Sequence, residues 1–131
     1  MYRINGVDDT IAVRNEPATT GAFSHSLMHR INVTQLAAQL EHENPMLLDV
    51  REPWEFETCH IDGSINIPMG QIPQKLKQLQ TANEIVVICH HGIRSQQVIR
   101  FLQQQSTATL INLDGGVDAW AREIDPDMPV Y

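Results

Sequence analysis

A chain of 131 residues, 42% of them hydrophobic, has room for one domain and for a core that needs no disulfide or metal staple. Nine lysines and arginines against sixteen aspartates and glutamates leave a net charge of −7, which argues against nucleic acid or an anionic membrane as partner. With only Cys59 and Cys89, no apolar run of membrane-spanning length and no leader-like opening, the expectation is a cytoplasmic protein without a disulfide framework.

Residues 1–30 show neither alternating nor helical apolar spacing. They are expected to form an N-terminal extension, either an arm or a small hairpin of residues 2–6 and 10–14, anchored by Phe23, Leu27 and Met28. Residues 31–131 read as one α/β domain. A short strand is expected at 31–33, followed by a helix capped by Thr34, with Leu36, Ala37 and Leu40 inward and Asn44-Pro45 as its stop. The unbroken apolar character of 46–50 predicts a buried parallel strand, and Pro53 suits the first position of a short helix after it. A turn at Asp62-Gly63 precedes another short strand. Ile72, Leu76 and Leu79 mark one face of the next helix. A central strand at 85–88 runs into a polar loop and a helix carrying Val98, Phe101 and Leu102. A strand at 109–113, the turn Asp114-Gly115-Gly116 and a helix with Val117, Trp120 and Ile124 inward complete the pattern. Alternating strands and helices imply a central parallel sheet flanked by helices on both faces.

The chemistry concentrates after the central strand. Cys89 ends it, the loop His90-His91-Gly92-Ile93 follows, and a helix begins near Arg94 and Ser95. A lone cysteine is commonly core packing, but a thiol between a strand end and a helix N-terminus meets several backbone N–H groups, which favour the thiolate. Gly92 suits a backbone that turns those groups inward. Arg94 is placed to hydrogen-bond loop carbonyls or a bound oxyanion, and Ser95 reads as a helix N-cap. His90 and His91 either direct positive charge at an anionic substrate or are simply solvated. Asp49 and Arg51 lie at the same sheet edge and read more readily as an ion-pair brace than as reacting groups. Cys59 reads as a packing cysteine, with a disulfide to Cys89 as the other option. Cys59-His60 and Cys89-His90-His91 lack the spacing of structural zinc sites, so no metal is expected.

Four segments, in order, resemble the rhodanese family: Leu47-Leu-Asp-Val-Arg-Glu-Pro-Trp-Glu-Phe56, His60-Ile-Asp-Gly-Ser-Ile-Asn-Ile-Pro68, Val86-Val-Ile-Cys-His-His-Gly-Ile-Arg-Ser95 and Leu113-Asp-Gly-Gly-Val-Asp-Ala-Trp120. The resemblance covers residues 31 to 131. It implies a sulfurtransferase that moves a sulfane sulfur from thiosulfate or a persulfide to cyanide, a thiol or a sulfur-relay protein, with no metal or organic cofactor. Cys89 would carry the sulfur, His90, His91, Gly92, Ile93, Arg94 and Ser95 would wrap it, and Asp49, Arg51 and His60 would support the site. His90 departs from the arginine often found there in members that use thiosulfate well. Two other readings compete. A cysteine phosphatase or arsenate reductase would need Cys-x5-Arg, whereas this chain has Cys-x4-Arg. A non-catalytic rhodanese-like binding module would typically lack the cysteine. Nothing in the sequence sets an oligomeric state.

Overall fold

Ile85, Val86, Val87 and Ile88 are all wholly buried, so this strand must be covered on both faces, and the rest of the fold covers it. A computed structural model describes residues 28–131. The expected arm or hairpin, with its anchors Phe23 and Leu27, lies outside the described residues, while Met28 packs against the core. The strands are β1 (His29–Ile31), β2 (Met46–Asp49), β3 (Ile65–Asn66), β4 (Glu84–Ile88) and β5 (Thr109–Leu113). They form one parallel sheet in the order β1-β5-β4-β2-β3, with β4 at its centre. The helices are α1 (Val33–Leu40), α2 (Pro53–Thr58), α3 (Leu76–Leu79), α4 (Arg94–Leu102) and α5 (Gly116–Glu123).

Side chains alternate across the strands and divide the core in two. Leu48, Ile85, Val87 and Leu110 face Ile72, Leu79, Val98, Ile99 and Leu102 on one side. Leu47, Val86, Ile88, Ile111 and Leu113 face Val33, Leu36, Ile61, Val117 and Trp120 on the other. Each wholly buried leucine or isoleucine here contributes on the order of 2 kcal/mol relative to exposure. The two thiols part company in this division: Cys89 belongs to the first layer and Cys59 to the second.

Three local expectations need correction. The first strand lies two residues earlier, at His29–Ile31, because Asn32 rather than Thr34 caps α1. The Asn32 side chain accepts from Gln35 N–H at 2.8 Å, and the Gln35 side chain accepts from Asn32 N–H at 2.9 Å, a reciprocal capping box. The helix then ends at Leu40, ahead of the Asn44-Pro45 stop. The helix expected through Ile72, Leu76 and Leu79 is divided. Pro73 sits in a 3-10 helix (Met69–Lys75), and only the single turn of α3 is α-helical. A proline nitrogen has no hydrogen to donate, and a short 3-10 stretch accommodates that lack better than a long α-helix does.

Candidate active site

Cys89 is 1% exposed and follows β4 directly at the carboxyl edge of the sheet. The loop folds over it so that Gly92 N–H donates to Cys89 Sγ at 3.0 Å. Gly92 holds φ +103°, and a side chain there would press on Leu113 O and Gly115 N at 3.3 and 3.4 Å. The loop thus rests on the turn between β5 and α5. Gly116 opens α5 at φ +59°, where a Cβ would collide with the carbonyls of Cys89 and His90. That close approach lets Val117 N–H donate to Cys89 O at 2.9 Å and Asp118 N–H to His90 O at 3.0 Å. Two donors left unpaired by the start of α5 therefore hold the loop.

Ser95 does not cap α4. The N-cap position is Ile93, whose hydrocarbon side chain can make no cap hydrogen bond, and the Ser95 side chain is fully buried beneath the loop. Its Oγ lies 3.4 Å from Cys89 Sγ and donates to Asn112 Oδ1. Asn112 Nδ2 donates to Asp114 Oδ1 at 2.8 Å, and Arg30 Nε donates to the two oxygens of the same carboxylate at 3.1 and 3.0 Å. An ionised carboxylate only accepts, so Asp114 orients the Asn112 amide, and that amide directs the Ser95 proton. A polar chain thus runs from a surface ion pair through two fully buried side chains to the thiol. The sequence carried one sign of it: an asparagine inside the otherwise apolar end of β5.

Arg94 does not turn to loop carbonyls. Its guanidinium forks onto Glu55, with Nη1–Oε1 at 2.7 Å and Nη2–Oε2 at 2.9 Å, the bidentate geometry that a carboxylate matches best. The Arg94 hydrogen bonds, assisted by the Glu52 N–H and the Tyr131 hydroxyl, outweigh burial and hold the Glu55 carboxyl at about 2. The same pairing raises the Arg94 pKa. Arg51 is fully buried, and all five of its N–H donors have acceptors: Asp49 through Nε and Nη2, Glu55 O and the Tyr131 hydroxyl through Nη1, and Cys59 O through Nη2. Burial opposes the Arg51 charge, but Asp49 more than offsets it and the pKa is raised. Both arginines at this edge are therefore neutralised by carboxylates.

Tyr131, which sequence reasoning passed over, joins these pairs. Its hydroxyl accepts from Arg51 at 2.7 Å and donates to Glu55 Oε2 at 2.8 Å, and burial pushes its pKa up to about 12. Its ring lies 4.5 Å from that of His90 and 5.4 Å, edge-on, from that of Trp54. With Trp54 60% and Ile93 64% exposed, these side chains make an apolar rim beside the loop.

His90 is half-buried, and desolvation, with the neighbouring His91 adding to it, lowers its pKa. Its Nδ1 is enclosed without a hydrogen-bond partner among the described residues. His91 is exposed, with Nε2 3.7 Å from Asp118 Oδ2. His90, His91 and Asp118 each bring one potential metal-ligating atom within 4.8 Å of the others. His60 lies at the end of α2, where its Nδ1 bonds Phe56 O at 2.7 Å and its ring stacks on Phe56 at 3.9 Å. An open depression of about 490 Å³, lined by Pro45, Met46, Ile65, Ala82 and Glu84 among others, lies at the amino edge of the sheet, away from Cys89. Among the described residues, no cysteine, histidine or arginine lines that hollow.

A buried thiol under a glycine-bearing loop, at the carboxyl edge of a five-stranded parallel sheet, matches a known class. The chain belongs to the rhodanese-like family, whose domain model matches residues 32–123. It is 32% identical over 95 residues to the thiosulfate sulfurtransferase GlpE of Shewanella oneidensis, a match covering 72% of this chain and 94% of that one. It is 34% identical over 96 residues to the maize adenylyltransferase and sulfurtransferase MOCS3-1, but there it spans only 20% of the relative's length. A rhodanese-related protein from Thermoplasma volcanium has a crystal structure that superposes with a TM-score of 0.66 at 34% identity, covering 73% of this chain and 93% of that one.

Proposed function

We propose that this protein is a sulfurtransferase that carries a sulfane sulfur on Cys89. The observation that bears most weight is the Gly92 N–H donated to Cys89 Sγ at 3.0 Å, in a loop held in place by α5. A backbone donor aimed at a sulfur before any reaction costs no reorganisation when charge develops there. Likeness to proteins named thiosulfate sulfurtransferase supports the same reading.

The reaction is a double displacement. The Cys89 thiolate attacks the outer sulfur of the donor, and the donor's S–S bond breaks with its electron pair leaving on sulfite, or on a thiolate when the donor is a persulfide. Cys89 then holds the outer sulfur as a persulfide anion. An acceptor thiolate or cyanide attacks that sulfur, the new S–S bond breaks, and Cys89 leaves as thiolate. With Arg51 and Arg94 both paired, attraction for the donor rests on loop N–H groups and the start of α4. That suits a persulfide at least as well as the doubly charged thiosulfate. A phosphatase would need its arginine free to fork an oxyanion, and here the fork of Arg94 holds Glu55.

The acceptor would be a small thiol or a sulfur-relay protein meeting the rim of Trp54, Ile93 and Tyr131. Among the described residues no helix is long and apolar enough to cross a membrane, and both cysteines are free. A working thiol fits a reducing compartment such as the cytoplasm. The test is turnover with thiosulfate, and with a small-molecule persulfide, by wild type and Cys89→Ser. Loss of turnover in a variant that melts near wild type supports the reading, and retained turnover refutes it.

A further inference from the structure

We infer that His90, His91 and Asp118 form a binding site for a divalent transition ion of the zinc class at the mouth of the Cys89 loop. The three potential ligand atoms come from two elements, the loop and the first turn of α5, and lie within 4.8 Å of one another. The two elements are kept in register by the hydrogen bond from Asp118 N–H to His90 O at 3.0 Å. His91 Nε2 and Asp118 Oδ2 stand 3.7 Å apart, too far for a hydrogen bond. That spacing is close to the roughly 3.4 Å that separates two ligands of a tetrahedral ion bound at about 2.1 Å. His90 supplies the independent sign: an enclosed ring nitrogen that no protein group satisfies among the described residues. Buried polar atoms are ordinarily paired, so an unpaired one on a residue of this cluster calls for a partner.

Two imidazoles and one carboxylate leave at least one coordination position open, which suits Zn²⁺ or Fe²⁺ better than Mg²⁺ or Ca²⁺. The remaining contraction asks for a small shift of His91, whose side chain is 62% exposed and packs edge-on against the His90 ring at 4.1 Å. Arg122 competes for the Asp118 carboxylate at 3.0 Å from a side chain that is 72% exposed. The spacing of Cys59-His60 and Cys89-His90-His91 gave no hint of this site, because its third ligand enters from α5. A bound ion would tie the loop to α5 and stabilise the folded state in proportion to its occupancy.

The test uses the full chain with CoCl2 as a spectroscopic probe and ZnCl2 in thermal melts. In wild type and in Cys89→Ser alike, Co²⁺ should give the intense visible bands of a low-symmetry nitrogen–oxygen site without a thiolate charge-transfer band, and Zn²⁺ should raise the melting temperature. His91→Ala and Asp118→Asn should each weaken binding by about tenfold or more, and Arg122→Ala should tighten it. The His91 and Arg122 side chains are exposed and that of Asp118 is 15% exposed, so a metal-free melt of each variant verifies folding. Absence of both signals at millimolar metal overturns the site. So does binding that disappears in Cys89→Ser yet survives Asp118→Asn, since the thiol would then be the ligand. None of these readouts depends on sulfur transfer, so failure of the site and failure of the proposed activity are separately visible.

Discussion

Glu55→Gln tests whether the carboxylate between Arg94 and Tyr131 stabilises the fold, and pH separates this from a packing effect. The Glu55 side chain is 6% exposed, accepts both Arg94 nitrogens and the Tyr131 hydroxyl, and has its pKa moved from 4.5 to about 2. That shift corresponds to roughly 3 kcal/mol favouring the ionised, folded form. Because the folded value is the lower one, this stability is fully present above pH 4.5 and is lost as the pH falls toward 2. Glu55→Gln should therefore be less stable than wild type by up to about 3 kcal/mol at pH 7. The two should converge to within about 1 kcal/mol near pH 2, where about half of the wild-type charge and most of the stability linked to it are gone. Denaturant unfolding of both proteins at pH 7, 4 and 2.5 measures the difference, and the other carboxylates cancel because both proteins share them. A deficit of the same size at every pH would refute the reasoning, as would a glutamine variant matching wild type at pH 7.

Two further changes probe the scaffold of the loop. Tyr131→Phe leaves Arg51 and Glu55 each short of one partner and should cost about 1–2 kcal/mol in denaturant unfolding at pH 7, with an unchanged melt as the contrary result. Gly116→Ala puts a methyl group against the carbonyls of Cys89 and His90 at a positive φ. It should cost about 2 kcal/mol or more in the same assay and reduce sulfur-transfer turnover, whereas Gly63→Ala, with a positive φ but open space around its Cβ, should reduce stability alone.

Much of the fold was legible because its signals are local. The apolar runs Met46–Leu48 of β2 and Ile85–Ile88 of β4 reflect burial on both faces, and Pro53 marks the start of α2. The position of Cys89 between a strand and a helix also follows from local pattern. What the sequence concealed depends on distant partners. Glu55 and Tyr131 are 76 residues apart, and nothing near either one announces the other. Ser95 looked like a cap because serine before a helix usually is one. Asn112 on the neighbouring strand supplies the buried acceptor that draws it inward. On local grounds Arg94 stood equally well for a partner of loop carbonyls or of a bound oxyanion, and the carboxylate of α2 decides its pairing.

The central claim is that Cys89 carries a sulfur atom, and intact-protein mass spectrometry tests it most directly. Wild type and Cys89→Ser would be incubated with thiosulfate and, separately, with a small-molecule persulfide, then weighed without reductant. A gain of one sulfur on wild type with at least one donor, reversed by cyanide and absent in Cys89→Ser, is the predicted result. An unchanged wild-type mass with both donors, or an equal gain on the serine variant, would contradict it.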